Sequence, residues 1–282
     1  MSGRQREMMN DMKPGSVAGY IKSGYALVQR NYNLIKHEMG WEVVNAIYQV
    51  VNALTIGFIG VSGPQEGLNE RVLFLVSGAL LWGFLSILFH EVAESVAWER
   101  WEGTIEYSFM APQPRGVYMF GVCMWAIAYG LVRVVICLTA VTLAFNISLA
   151  EANLGGALLT LAASSLAFIG MGLAAAVLPL ISPEKGSQAT HIFQAVVLLV
   201  SGVYYDVAVL PAWVRPLSYI SPATYTLRAA RAALLEGASV RMLLPDLLAL
   251  VLLGAILIPV GFWVFSMGEN YAMRTGKLKR TG

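Results

Sequence analysis

His90-Glu91-x-x-Glu94 is the first group whose types and spacing could do chemistry. It half-resembles His-Glu-x-x-His, in which two imidazoles one helical turn apart hold zinc and the glutamate acts as general base. Here the last position is Glu94, and the only other histidines are His37 and His191. The nitrogen donors that a zinc site draws on are therefore scarce. The same residues also fit a polar cluster at the end of an apolar helix. A second group consists of charges inside apolar sequence, Arg133 and Asp206, with Glu91. An arginine at membrane depth needs a partner or water. Arg133 lies 16 residues past Val117 and Asp206 16 residues past Thr190, so each sits about 24 Å along its helix. An ion pair between them is geometrically open, and so is a wet cavity that takes Arg133 alone. No Gly-x-x-x-x-Gly-Lys-Ser/Thr phosphate loop occurs, since Gly276-Lys277 is followed by Leu278. The chain is not expected to hydrolyse ATP by itself.

The elements that position these residues follow from composition. Hydrophobic residues make up 57% and charged residues 13% of 282, with a mean hydropathy of +0.64. Soluble domains carry about 25% charged residues, so lipid is the expected solvent. A spanning helix needs roughly 20 mostly apolar residues, and six such runs stand out: 43–61, 73–92, 117–145, 154–180, 190–207 and 243–265. No alternation of strand period competes with them. The expected class is all-α, a single polytopic domain over 1–282 with a six-span region at 43–265 and a tail at 266–282. With the N-terminus inside, 13 of the 19 Lys and Arg fall on the inner side and 5 on the outer, and Arg133 lies within a span. That excess predicts both ends on the cytoplasmic side. The first dozen residues stay polar, so insertion is expected to rely on internal spans.

Three further segments have distinct patterns. Within 16–40, Val17, Ile21, Tyr25, Val28, Tyr32, Ile35 and Met39 recur at helical steps while Lys22, Arg30 and Lys36 fall off that stripe. This predicts an amphipathic helix lying on the inner leaflet or packed on a partner. Between spans two and three, Trp98-Glu99-Arg100-Trp101-Glu102 precedes Pro112 and Pro114. A short charged helix there could dock into a soluble partner, with the tryptophans as anchors, or form a solvated turn with interfacial tryptophans. Between spans five and six, Leu210-Pro211, Trp213, Pro216 and Ser221-Pro222 punctuate the chain. Ser221-Pro222 starts a helix to Glu236 that is about 22 Å long, too short to cross. That segment, with Trp213, Tyr225, Arg228 and Arg231, is expected to form a short outer or re-entrant hairpin. Cys123 and Cys137 share one apolar run and cannot pair with each other on one helix.

Glu99-Arg100-Trp101-Glu102-Gly103-Thr104-Ile105-Glu106 resembles the Arg-Glu-x-Gly-Thr-x-Glu signature of ABC-2 type (type V) exporter permeases. Trp101 intervenes between Arg100 and Glu102, a departure from the family's spacing. Ser201-Gly202-Val203-Tyr204-Tyr205, Leu210-Pro211, Trp213 and Ser221-Pro222 resemble the family's stretch at the end of span five, with tyrosines for phenylalanines and Ser221 for asparagine. The resemblance implies that Glu99, Arg100, Trp101, Glu102, Gly103, Thr104 and Glu106 contribute to a coupling helix. It also implies a separate nucleotide-binding subunit that carries ATP and Mg, no cofactor in this chain, a second permease copy and residence in a bacterial or archaeal cytoplasmic membrane. Nucleic acid has no place in it. The implied function is export of a drug-like or lipid-like substrate, as in daunorubicin-type permeases. The alternatives are a polysaccharide or glycolipid permease, an intramembrane metalloenzyme built on His90, Glu91 and Glu94, and a structural anchor.

Overall fold

The computed structural model describes residues 17–62, 68–103, 115–146 and 152–275. These are helical, with no strand among them. In chain order the helices are α1 (Val17–His37), α2 (Met39–Val61), α3 (Leu68–Glu102), α4 (Arg115–Phe145), α5 (Leu154–Ala175), α6 (Val177–Ile181) and α7 (Pro183–Val200). A 3-10 turn follows (Val207–Val209), then α8 (Arg215–Ile220), α9 (Pro222–Leu235) and α10 (Val240–Arg274). Five segments are long and apolar enough to cross a membrane: Met39–Val61, Glu70–Glu99, Gly116–Phe145, Leu154–Ile181 and Val240–Arg274. The chain is a multi-pass helical membrane protein.

The expected fifth span differs. Instead of running through 190–207, α7 starts at Pro183 and stops at Val200, and its apolar part is Gln188–Val200. Gly202 adopts φ +69° just past the end, the left-handed geometry that terminates helices and suits glycine. Ser201 caps the turn, its Oγ 2.7 Å from that of Ser221. Apolar composition runs on beyond Val200, but the backbone turns.

Helix α3 is the axis of the bundle. Phe84, Leu85, Leu88, Phe89 and Val92 are sealed in the main core, with Phe168 and Leu173 of α5 and Met119 and Val122 of α4. The tightest contact joins α5 to α10, where Gly254, Gly261 and Gly268 recur every seventh residue. A Cβ on Gly261 would lie 2.3 Å from the Gly170 carbonyl oxygen, and one on Gly254 2.6 Å from Leu166 Cβ. Small residues at such a seam let backbones approach closely where lipid supplies no hydrophobic drive between helices. Helix α2 is the loosest of those five apolar segments, with 17% of its apolar window buried against 72% for Leu154–Ile181. One of its faces therefore stays open to lipid or to another chain.

Helix α1 packs on α4. A Cβ on Gly121 would meet Leu27 at 2.8 Å and the Gly24 carbonyl oxygen at 3.2 Å. The face so used is rotated from the expected stripe. Val28 and Ile35 are half-buried, whereas Tyr25, Tyr32 and Met39 remain exposed.

Candidate functional site

Polar side chains on α2 recur at steps of four and three: Glu38 just before it, then Glu42, Asn45, Gln49 and Asn52. That spacing places them on one helical face. They look across to Gly83, Ser86, His90 and Glu91 of α3, Tyr129 and Arg133 of α4, Gln194 of α7 and Tyr204 beyond it. Together these residues line a cavity of about 550 Å³. A second space of about 250 Å³ shares Glu38, Glu42, His90, Glu91 and Tyr129 and continues to Arg30, Glu94 and Glu99. A polar lane thus runs through an apolar bundle.

Its electrostatic centre is a triad. Arg133 Nη2 lies 2.7 Å from Glu42 Oε2, and the Tyr129 hydroxyl donates to the same oxygen at 2.7 Å. The guanidinium also donates to the Tyr129 hydroxyl and sits 4.9 Å from the Tyr129 ring centre. Trp125 stacks on Tyr129 at 5.9 Å. The side chains of Arg133 and Glu42 are 8% and 20% exposed, so a buried charge has found an oppositely charged, hydrogen-bonded partner. The expected pairing of Arg133 with Asp206 does not occur. Asp206 lies six residues past the end of α7 and is exposed, and its Oδ1 accepts from Ala208 N–H at 2.8 Å. The depth count assumed a helix that continues to 206, and the chain has already turned.

His90 opens into the cavity, and its ring stacks on that of His191 at 5.7 Å between centres. Among the described residues no group of three or more His, Cys, Asp or Glu is placed to hold a metal. Glu91 lines both spaces beside the triad, and Glu94 the second.

Of the expected coupling residues, Glu99 faces inward. It is buried, and Arg30 of α1 approaches its Oε1 at 3.4 Å. The backbone of Arg100, Trp101 and Glu102 completes the last turn of α3, and Gly103 ends it at φ +76°. Thr104, Ile105 and Glu106 lie outside the described residues.

The segment expected as an outer hairpin folds as α8 and α9. Trp213 is 80% exposed. The Tyr225 hydroxyl donates to the Tyr219 carbonyl at 2.7 Å. Arg228 forms a forked pair with Asp246 of α10. Hydrogen bonds donated to that carboxylate hold the guanidinium above its ordinary pKa. Arg231 of α9 turns inward. It donates to the carbonyls of Phe74 (3.1 Å), Gly202 (3.2 Å) and Val203, and it covers the Phe74 ring at 3.6 Å. Leu227 of α9 is 1% exposed and packed in the chain's own core. Cys123 and Cys137 are both buried and unpaired with each other.

Sequence reasoning missed Glu38, Glu42, Asn45, Gln49 and Asn52. The usable signal was a polar stripe of helical period inside the first apolar run.

A family description, ABC-2 type transporter, matches residues 23–235. The match begins within α1 and ends at the last residue of α9, so it contains the whole polar lane and the α8–α9 segment. No curated protein matches the chain.

Proposed function

Because the chain belongs to the ABC-2 type transporter family, we propose that it is the membrane-spanning subunit of an ATP-driven exporter. It works with a separate nucleotide-binding subunit that holds ATP and Mg, and with a second permease copy. The observation that carries the reading is the polar lane, a set of amides and carboxylates that an apolar bundle would otherwise exclude. Such side chains at membrane depth mark pathways more often than packing. In this reading α7 is the fifth of six crossings. Its apolar part, Gln188–Val200, is about 20 Å long and would reach across the hydrocarbon only together with the turn that follows it, while α8–α9 form a re-entrant cap. Both chain ends face the cytoplasm of a bacterial or archaeal cell. The cargo is a drug-like or lipid-like amphiphile.

Residues 100–106 form the contact with the ATPase, and the buried Glu99 links that segment to Arg30 of α1. Helix α3 is one uninterrupted element from Leu68 to Glu102, so displacement at its end moves Glu91, His90 and Ser86 with it. ATP drives this only by binding one arrangement of the pair better than the other. The test is Glu102→Ala with Glu106→Ala, co-expressed with the cognate phosphate-loop ATPase. Association should fall, or hydrolysis should continue without transport. Unchanged association and transport would reject the contact, and a wild-type chain that binds no ATPase would reject the exporter reading.

A further inference from the structure

We infer that the cavity between α2, α3, α4 and α7 takes a lipophilic organic cation. The inference rests on the exporter reading and narrows its cargo to one sign of charge. The cavity walls carry three carboxylates, Glu38, Glu42 and Glu91, against one guanidinium, Arg133. That guanidinium is committed to Glu42 by an ion pair and held on the Tyr129 ring. Neither Glu38 nor Glu91 has an ion-pair partner among the described residues. The walls therefore offer a net negative field, and near membrane depth a unit charge is felt more strongly than in water. An anionic cargo would meet repulsion, and the only guanidinium among the described residues lining the cavity is already paired with Glu42.

The rest of the lining fits the same class. Trp41, Tyr48, Trp82 and Tyr204 are among the residues that line the space, and aromatic faces attract ammonium and related cations. Asn45, Gln49, Asn52 and Gln194 supply neutral polar contacts that fix orientation without adding charge. The volume, about 550 Å³, lies in the range that encloses a drug-sized molecule. A neutral sugar chain would find hydrogen-bond partners in the amides, rings and carboxylate oxygens, but it would leave the net negative charge of the walls unbalanced.

The experiment compares tetraphenylphosphonium with tetraphenylborate, two ions of nearly one shape and opposite charge. Each is dialysed to equilibrium against the full chain in nanodiscs of zwitterionic lipid. Partition into lipid is subtracted with empty discs. Tetraphenylphosphonium should bind saturably and tetraphenylborate should not. Glu91→Gln should weaken the cation about tenfold, the scale of one partly desolvated charge. Glu236→Gln, an exposed charge at the end of α9 and outside the cavity, should leave it unchanged. Ser86→Trp, which fills the cavity, should abolish binding. Saturable binding of tetraphenylborate at similar affinity, or indifference of the cation to Glu91→Gln, overturns the charge assignment and leaves the cavity as the cargo site. Binding that survives Ser86→Trp overturns the cavity as well. Absence of saturable binding by either ion overturns the cation, while association with the ATPase separately decides the exporter reading.

Discussion

Glu42 and Arg133 should be energetically coupled, and the size of the coupling follows from their surroundings. The charged atoms meet at 2.7 Å, with the arginine side chain 8% and the glutamate 20% exposed. Two unit charges about 4 Å apart at an effective dielectric of about 20 attract by about 4 kcal/mol. Removing one member of a buried pair costs about 3–5 kcal/mol, because the other is left desolvated and alone. Arg133→Met should fall below that range, about 2–3 kcal/mol, since Glu42 keeps the Tyr129 hydroxyl and some exposure. Glu42→Gln leaves the more buried charge and should cost about 3–4 kcal/mol. The double variant has no stranded charge and should cost little more than either single one, which gives a coupling of roughly 2–3 kcal/mol. Unfolding by SDS titration in mixed micelles measures all four proteins. A matching cycle of Arg133→Met with Asp206→Asn serves as the comparison. Asparagine keeps the capping oxygen, and those two sites should add to within about 0.5 kcal/mol. Additivity in the Glu42 cycle would refute the pair, and coupling in the Asp206 cycle would refute the geometry in favour of the pairing expected from sequence.

Gly261→Ala should destabilise by about 1–3 kcal/mol, seen as a lower melting temperature in detergent, because its Cβ would meet the Gly170 carbonyl oxygen at 2.3 Å. Gly155→Ala, where the nearest atom is 3.6 Å away, should be neutral or slightly stabilising through helix propensity, and equal loss at both sites would contradict the α5–α10 seam. For topology, single cysteines replacing Trp213 and Arg241, in a background lacking Cys123 and Cys137, should react with an impermeant thiol reagent added outside intact cells. A cysteine replacing Arg274 should react only once the cells are opened. Reaction at 241 only after opening would mean that the α8–α9 segment crosses, and the six-crossing arrangement would fall with it.

Long apolar runs were legible because lipid imposes a single demand, roughly 20 apolar residues per crossing. Helices α2, α3, α4, α5 and α10 all overlap the runs read from sequence. Hydropathy fails where the backbone turns without a change of polarity. Ala176 interrupts the fourth run between α5 and α6, and Gly202 stops α7 short of Tyr204, Val207 and Leu210, which are as apolar as what precedes them. The same turn removes Asp206 from the helix whose length would set it level with Arg133. The polar stripe of α2 was hidden for a different reason. Asn45, Gln49 and Asn52 are uncharged, so a search for charges inside spans passes over them, and Glu42 sits near the start of its helix where it reads as an interfacial residue. Periodicity of polar residues, and not only of apolar ones, would have exposed that face.

Two ion pairs tie four helices into one frame around the cavity. Arg30 with Glu99 joins α1 to α3, and Glu42 with Arg133 joins α2 to α4. Only Glu38 separates α1 from α2, and it keeps hydrogen bonds to both sides, accepting from Trp41 N–H at 2.9 Å and donating to the Leu34 and Ile35 carbonyls at 3.1 Å. The backbone hydrogen bonding thus continues across that residue, although its dihedrals (φ −106°, ψ 23°) leave the helical range. Glu38 and Glu42 also line the cavity. Displacement of α3 at Glu99 thus reaches the cavity by two routes: along α3 itself to Glu91, about 12 Å away by helical rise, and through Arg30 to α1 and on to Glu42. The first route is covalent and stiff. The second is polar and partly exposed, with Arg30 at 47%, so it can break and re-form. In the proposed exporter, a frame with one rigid arm and one reversible arm would offer ATP binding two arrangements to bias. Loss of coupling in the Glu42–Arg133 cycle would remove the far end of the reversible arm and leave α3 as the only connection.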